Sequence, residues 1–131
     1  MTFNEDTRVK IPAILTLTRL GYKYLSLRDR EDIDPSTNIF KDIFFDSLRR
    51  LNPGIENEVL QKYFYKIQTM LDNEDLGKEF YIQNLIKSGD IKLIDWDNIK
   101  NNTLNVCTEL TYGDKQEDNF RPDITLLING M

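Results

Sequence analysis

Apolar residues recur about once per helical turn over the first two thirds of the chain and at alternate positions near its end. Over residues 5–20, Val9, Ala13, Leu17 and Leu20 form the stripe of a helix packed on a core, with Asn4 as N-cap and Gly21 as the residue that stops it. Pro12 removes a donor and crowds the preceding turn, so the helix either kinks there or begins near it. Residues 22–27 read as a short strand, and Asp34-Pro35-Ser36-Thr37-Asn38 is capping and turn material. A second helix, 39–51, follows from Phe40, Ile43, Phe44, Ser47, Leu48 and Leu51. Arg49 and Arg50 favour its dipole, and Asn52-Pro53-Gly54 ends it. Leu60, Tyr63, Phe64, Ile67 and Met70 mark a third helix over 56–71. A fourth spans 74–87 and stops at Ser88-Gly89.

The period then changes. Residues 91–94 (Ile-Lys-Leu-Ile) predict a short strand, and 95–98 and 100–102 predict turns. Over 103–112, Leu104, Val106, Thr108, Leu110 and Tyr112 face one way and Asn105, Cys107, Glu109 and Thr111 the other. A polar connection, 113–119, leads to a second strand over 123–128, where Ile124, Leu126 and Ile128 lie opposite Asp123, Thr125 and Leu127. The expectation is a mixed α/β domain of four helices and a short antiparallel sheet. Ile128-Asn129-Gly130 is a strand and turn signal without a second arm, which reads as a cut through a hairpin.

Composition narrows the chemistry. The 131 residues suit one domain at most, 40% hydrophobic and 30% charged, as in soluble globular chains. No apolar run reaches membrane-span length and no secretory signal opens the chain, so the expected setting is cytoplasmic. The single cysteine, Cys107, excludes an internal disulfide and a thiolate zinc cluster. With no histidine, neither a Ser-His-Asp triad nor an imidazole metal site can be built; carboxylates would hold magnesium, manganese or calcium instead. Net charge is −5: residues 1–50 hold nine Lys/Arg against eight Asp/Glu, and 51–131 hold eight against fourteen. A basic surface for nucleic acid would have to come largely from elsewhere.

The run Phe120-Arg121-Pro122-Asp123-Ile124-Thr125-Leu126-Leu127-Ile128-Asn129-Gly130 resembles the Arg-Pro-Asp, apolar strand, Asn-Gly signature of type I restriction-enzyme R subunits. Other stretches agree in the family's order: Glu5 and Leu17-Thr18-Arg19-Leu20-Gly21-Tyr22, then Ser47-Leu48-Arg49-Arg50-Leu51-Asn52-Pro53, then Ile94-Asp95-Trp96-Asp97-Asn98 with Asn101-Asn102. The chain departs from the family in carrying Glu109 where Gln is common, and in stopping before the Glu-x-Lys strand and the helicase-like motor.

The resemblance implies that residues 1–131 are part of an N-terminal nuclease domain, an incomplete restriction-endonuclease-like fold of the PD-(D/E)xK superfamily. It implies Mg2+-dependent cleavage of double-stranded DNA in the full chain, ATP for the absent motor, and methylation and specificity subunits as partners. Asp123 matches the strand-opening Asp that is catalytic and holds the metal; by itself it is also an ordinary strand entry. Glu5 matches an acidic position on the first helix near the metal, or is a helix-start acid. Glu109 is a second carboxylate or a solvated strand residue. If the first helix packs across the sheet, Glu5 and Asp123 share one cleft. A rival reading makes the chain a docking domain or a degenerate nuclease remnant, with helices 39–51, 56–71 and 74–87 as docking surface.

Overall fold

Pro12 decides where the first helix starts. In the computed structural model, which describes residues 9–28, 30–72, 77–86, 90–108, 110 and 124–131, α1 spans Ile11–Arg19 with the proline in its first turn. There the missing N–H is one that no helix would have paired. The chain continues through β1 (Lys23–Tyr24), α2 (Lys41–Leu51), α3 (Asn57–Leu71) and α4 (Lys78–Phe80), which runs on as a π-helix over Tyr81–Ile86. A 3-10 turn at Ile99–Asn101, β2 (Leu104–Thr108) and β3 (Ile124–Ile128) complete it. The four helices and the sheet are the expected mixed α/β class. No helix among the described residues is long and apolar enough to cross a membrane.

Contacts divide the chain into two units: Met1–Glu31 with Leu104–Ile128, and Asp32–Thr103 with Asn129–Met131. The first holds α1 and the sheet. β2 is central, pairing antiparallel with β3 from Leu104↔Ile128 to Thr108↔Ile124. On its other side it pairs with β1 in parallel, Lys23↔Asn105 and Tyr24↔Val106, so the sheet is mixed rather than purely antiparallel. A parallel neighbour requires a long crossover, and β1 and β2 are far enough apart in sequence to allow one. The expected core stripe of α1 is also corrected. Val9 precedes the helix and Leu20 caps it, and they are 58% and 69% exposed. The half-buried residues are Ala13, Ile14 and Leu17, a face that the regular helix beginning near Pro12 defines.

The second unit carries most of the buried apolar residues. Phe40, Phe44 and Leu48 of α2 and Leu60, Phe64 and Ile67 of α3 are buried, as the helical spacing predicts. Phe64 meets Phe44 at 5.8 Å and Phe45 edge-on at 5.4 Å between ring centroids. Ahead of α2, Ile33 bridges Phe40 around the 34–38 turn. The buried Asp34 carboxylate there accepts from the hydroxyls of Ser36 and Thr37, the N–H of Thr37 and the Gln68 amide. The expected fourth helix is helical where it is described, over Lys78–Ile86; Glu74 and Lys87 lie outside the described residues.

The expected strand at 91–94 is absent. Its backbone finds side chains instead of a neighbouring strand: Lys92 N donates to Asn52 Oδ1 at 2.8 Å, and Asn52 Nδ2 donates back to Lys92 O at 2.8 Å. Leu93 O accepts from Asn129 Nδ2 at 2.8 Å. Two amides thus satisfy groups that a buried segment cannot leave unpaired.

Candidate functional site

The three acids singled out in the sequence, Asp123, Glu5 and Glu109, lie outside the described residues, and so does the cleft expected between Glu5 and Asp123. What is described is the frame that leads to them. Thr108, the last residue of β2, is registered against Ile124, the first of β3. Glu109 and Asp123 are the next residues along the chain from that pair.

Three of the other motif stretches, and the Asn-Gly pair that closes the fourth, meet in one hydrogen-bond network within the second unit. Asn129, fully buried, stands at its centre. Its N–H donates to Thr103 O at 2.8 Å, its Oδ1 accepts from Thr103 N at 2.7 Å, and its Nδ2 donates to Leu93 O and to Asn102 Oδ1. Asn102 in turn accepts from Asp95 N and donates to Asp95 O, both across the 95–102 turn. The Asp95 carboxylate accepts from the Asn101 amide and from the N–H groups of Asn98 and Asp97. The Asn101 bond leads in holding its pKa below the carboxylate norm, helped by Asn98, Lys92 and Asp97 against the cost of burial. Asn52, from the Leu-Asn-Pro stretch, caps α2 by donating to Leu48 O while it clamps Lys92. Arg50 donates to Asn101 O and to Thr103 Oγ1, binding the loop as well as serving the helix dipole.

Gly130 completes this frame. Phe40 N donates to Gly130 O at 2.8 Å, and a Cβ on Gly130 would lie 2.8 Å from Phe40 O and 2.9 Å from Phe44 N. With φ at +82°, only glycine fits both the conformation and the approach. These motif residues are therefore structural: they shape the backbone around 92–103 and the start of α2. Their spacing in sequence signals the family, and their chemistry is hydrogen bonding.

A second polar feature, which the sequence reading did not assign, lies in the first unit. One face of the sheet carries Asn105 and Cys107 on β2, opposite Leu127 and Thr125 on β3. Asn105, Cys107 and Leu127 are buried, and burial pushes the Cys107 thiol pKa up, which makes it a poor nucleophile. Asn105 Nδ2 donates to Lys23 O at 3.4 Å. Asn105 Oδ1 and Thr125 Oγ1 are shut off from solvent and have no hydrogen-bond partner among the described residues. Only their polar type within a strand could have hinted at this.

A cleft of about 510 Å3 in the second unit is lined by Tyr63, Lys66, Glu79, Gln83, Asn84 and Asp90 among others. Burial pushes the Tyr63 phenol up to about 12, and its hydroxyl donates to Asn84 Oδ1 at 2.9 Å. One lysine faces two carboxylates there, a mixture that suits neither a phosphate nor a metal ion. Among the described residues no three His, Cys, Asp or Glu side chains could hold a metal ion.

Residues 2–131 match the family described as the type I restriction enzyme R protein N terminus. The chain is also 34% identical over 128 residues to a protein of Methanocaldococcus jannaschii named as a type I restriction enzyme MjaVIIIP endonuclease subunit. That match covers 88% of this chain and 12% of the relative's length. No solved structure matches.

Proposed function

Because the chain belongs to the family of type I restriction enzyme R protein N termini, we propose that it forms part of a restriction subunit that hydrolyses phosphodiesters of double-stranded DNA. The observation that carries the proposal is the registered pair Thr108↔Ile124. Each partner is bonded to one of the expected acids, Glu109 or Asp123, about 3.8 Å away along the chain. Two carboxylates one peptide from the same rung are a source of hard ligands, and neutral oxygens stand nearby on the strands.

The cation that suits such donors is Mg2+, which when bound polarises a phosphate and supplies hydroxide near neutral pH. In this reading Asp123 is a metal ligand, Glu109 and Glu5 are further candidates, and Glu-x-Lys from a following strand completes the site. ATP drives a motor elsewhere in the subunit, and methylation and specificity subunits complete the complex that meets DNA in the cytoplasm.

The test is Asp123→Ala in the complete subunit, assembled with its partner subunits. Plasmid cleavage is expected to be lost while DNA-stimulated ATP hydrolysis persists. Cleavage at the wild-type rate would sink the assignment.

A further inference from the structure

The two unpaired oxygens in the sheet invite an explanation, because each is costly where it stands. A buried polar atom without a partner destabilises a fold by about 1–3 kcal/mol, and native proteins pair nearly all of them. Asn105 is only 7% exposed, and its amide is oriented by the Nδ2 bond to Lys23 O, which leaves Oδ1 as the surplus end. Thr125 Oγ1 is equally shut off. Valine has the shape of threonine and suits a strand as well, so packing alone does not require an oxygen at 125.

Their placement is specific. Asn105 pairs with Leu127 and Cys107 with Thr125, so Asn105 and Thr125 are diagonal neighbours on one face. Diagonal neighbours stand about 7–8 Å apart, a gap that one water can bridge. Two positions before Thr125 is Asp123, the spacing that returns a strand to the same face. Both oxygens are neutral, which suits them to water in a cation's hydration shell. A hard divalent ion such as Mg2+ keeps several waters, and those waters need acceptors.

We propose that Thr125 Oγ is a positioning residue for the cation site at Asp123, accepting a hydrogen bond from a metal-bound water. Its own proton passes onward to a second water, which donates to Asn105 Oδ1. The proposal rests on the reading of Asp123 as a metal ligand and adds a hydrogen-bonded track behind it. Threonine serves here because its hydroxyl accepts on one side and donates on the other.

The experiment compares Thr125→Val and Thr125→Ser in the complete subunit within its complex. Three quantities are read: the Mg2+ concentration that half-saturates plasmid cleavage, the affinity for Mn2+ alone by calorimetry, and the melting temperature without metal. Thr125→Val is expected to weaken Mn2+ binding and raise the Mg2+ requirement by about tenfold or more, the usual scale for a residue behind a ligand. Its melting temperature should stay level or rise, since a buried unpaired oxygen is gone. Thr125→Ser should stay within about twofold of wild type in both metal readouts. Should valine lower the melting temperature, Thr125→Cys, similar in size with a weakly bonding thiol, is expected to show the same metal defect. Wild-type Mn2+ affinity and Mg2+ requirement in the valine and cysteine variants would overturn the proposal. So would a serine variant as defective as valine, which would mean that the methyl group matters. Asp123→Ala separates the two readings. If it cleaves and binds Mn2+ normally, the assignment of Asp123 falls; if it fails while Thr125→Val is silent, only the role of Thr125 falls.

Discussion

Asn129 and Thr103 are joined twice, by Asn129 N donating to Thr103 O at 2.8 Å and by Thr103 N donating to Asn129 Oδ1 at 2.7 Å. The side-chain oxygen does the work that a backbone carbonyl would do in a regular ladder. It must, because Asn129 has φ of 53° and its backbone has left the extended region. Asparagine tolerates that conformation better than most residues and brings its own acceptor.

Replacing Asn129 with glycine keeps the backbone conformation and deletes the amide. Thr103 N, Leu93 O and Asn102 Oδ1 each lose a partner. The expected loss of stability is about 3 kcal/mol or more, read from urea denaturation. A loss under about 1 kcal/mol would mean that water replaces the amide without penalty.

Gly130 and Gly54 offer a controlled pair. Both have positive φ, at +82° and +85°, but a Cβ on Gly54 meets nothing within 4 Å while one on Gly130 strikes the backbone of Phe40 and Phe44. Gly54→Ala is expected to cost about 1–2 kcal/mol, the left-handed penalty alone. Gly130→Ala should cost distinctly more, since backbone must shift at the start of α2. Equal midpoints in denaturant for the two variants would refute the close approach.

Acid should unfold the second unit through Asp34 and Asp95. Burial of Asp34 opposes ionisation, but hydrogen bonds from Thr37, Ser36 and Gln68 outweigh it, so its pKa lies below the ordinary 3.8. Asp95 is lowered too, chiefly by the Asn101 amide. A depressed folded pKa means stability that is present above the unfolded value and lost as pH falls through the folded one. Denaturation midpoints should therefore be flat near neutrality and fall once pH drops below about 4. In Asp34→Asn that acid slope should be shallower; an unchanged slope would place the acid sensitivity in other groups.

Cys107 is fully buried and its pKa is raised by burial. Iodoacetamide at mild alkaline pH is expected to label it only as fast as the sheet opens, and much faster in urea. Equal rates with and without urea would contradict the burial.

Duplex DNA should bind the isolated chain weakly. Affinity comes largely from cations facing phosphates, and the chain carries a net −5. A dissociation constant below about one micromolar for random duplex at near-physiological salt would show that a basic stripe forms despite this balance.

What the sequence made legible follows from which interactions are local. α2 and α3 could be read because Phe44, Leu48, Leu60, Phe64 and Ile67 recur at helical spacing and are all buried. The antiparallel β2–β3 pair could be read because strict alternation fixes which residues share a face. Residues 91–94 misled because their apolar pattern is that of a strand, while the partners that shape them, Asn52 and Asn129, are 40 and 36 residues away. The parallel partner of β2 was invisible for a similar reason, as Lys23 and Asn105 are 82 residues apart. Asn52, Asp95, Asn101, Asn102 and Asn129 were legible as motifs, yet no local rule joins them into one network. The unpaired oxygen of Thr125 was hidden as well, since a strand threonine is ordinary until its surroundings are known.

The clamp of Asn52 and Asn129 on the segment between them also orders events during synthesis. Residues 92–103 contain only one turn of regular structure, at Ile99–Asn101, and part of their backbone is held by amides from both directions along the chain. Asn52 leaves the ribosome first and can engage Lys92 as soon as it follows. Leu93 O and Thr103 N must wait until Asn129 has been made and has emerged. For the interval in which about thirty further residues are added, a matter of seconds at ordinary elongation rates, this segment is a tethered loop with exposed apolar side chains, Leu93 and Ile94 among them. That nascent interval, more than the finished fold, is when this part of the chain is open to chaperones and to misassembly.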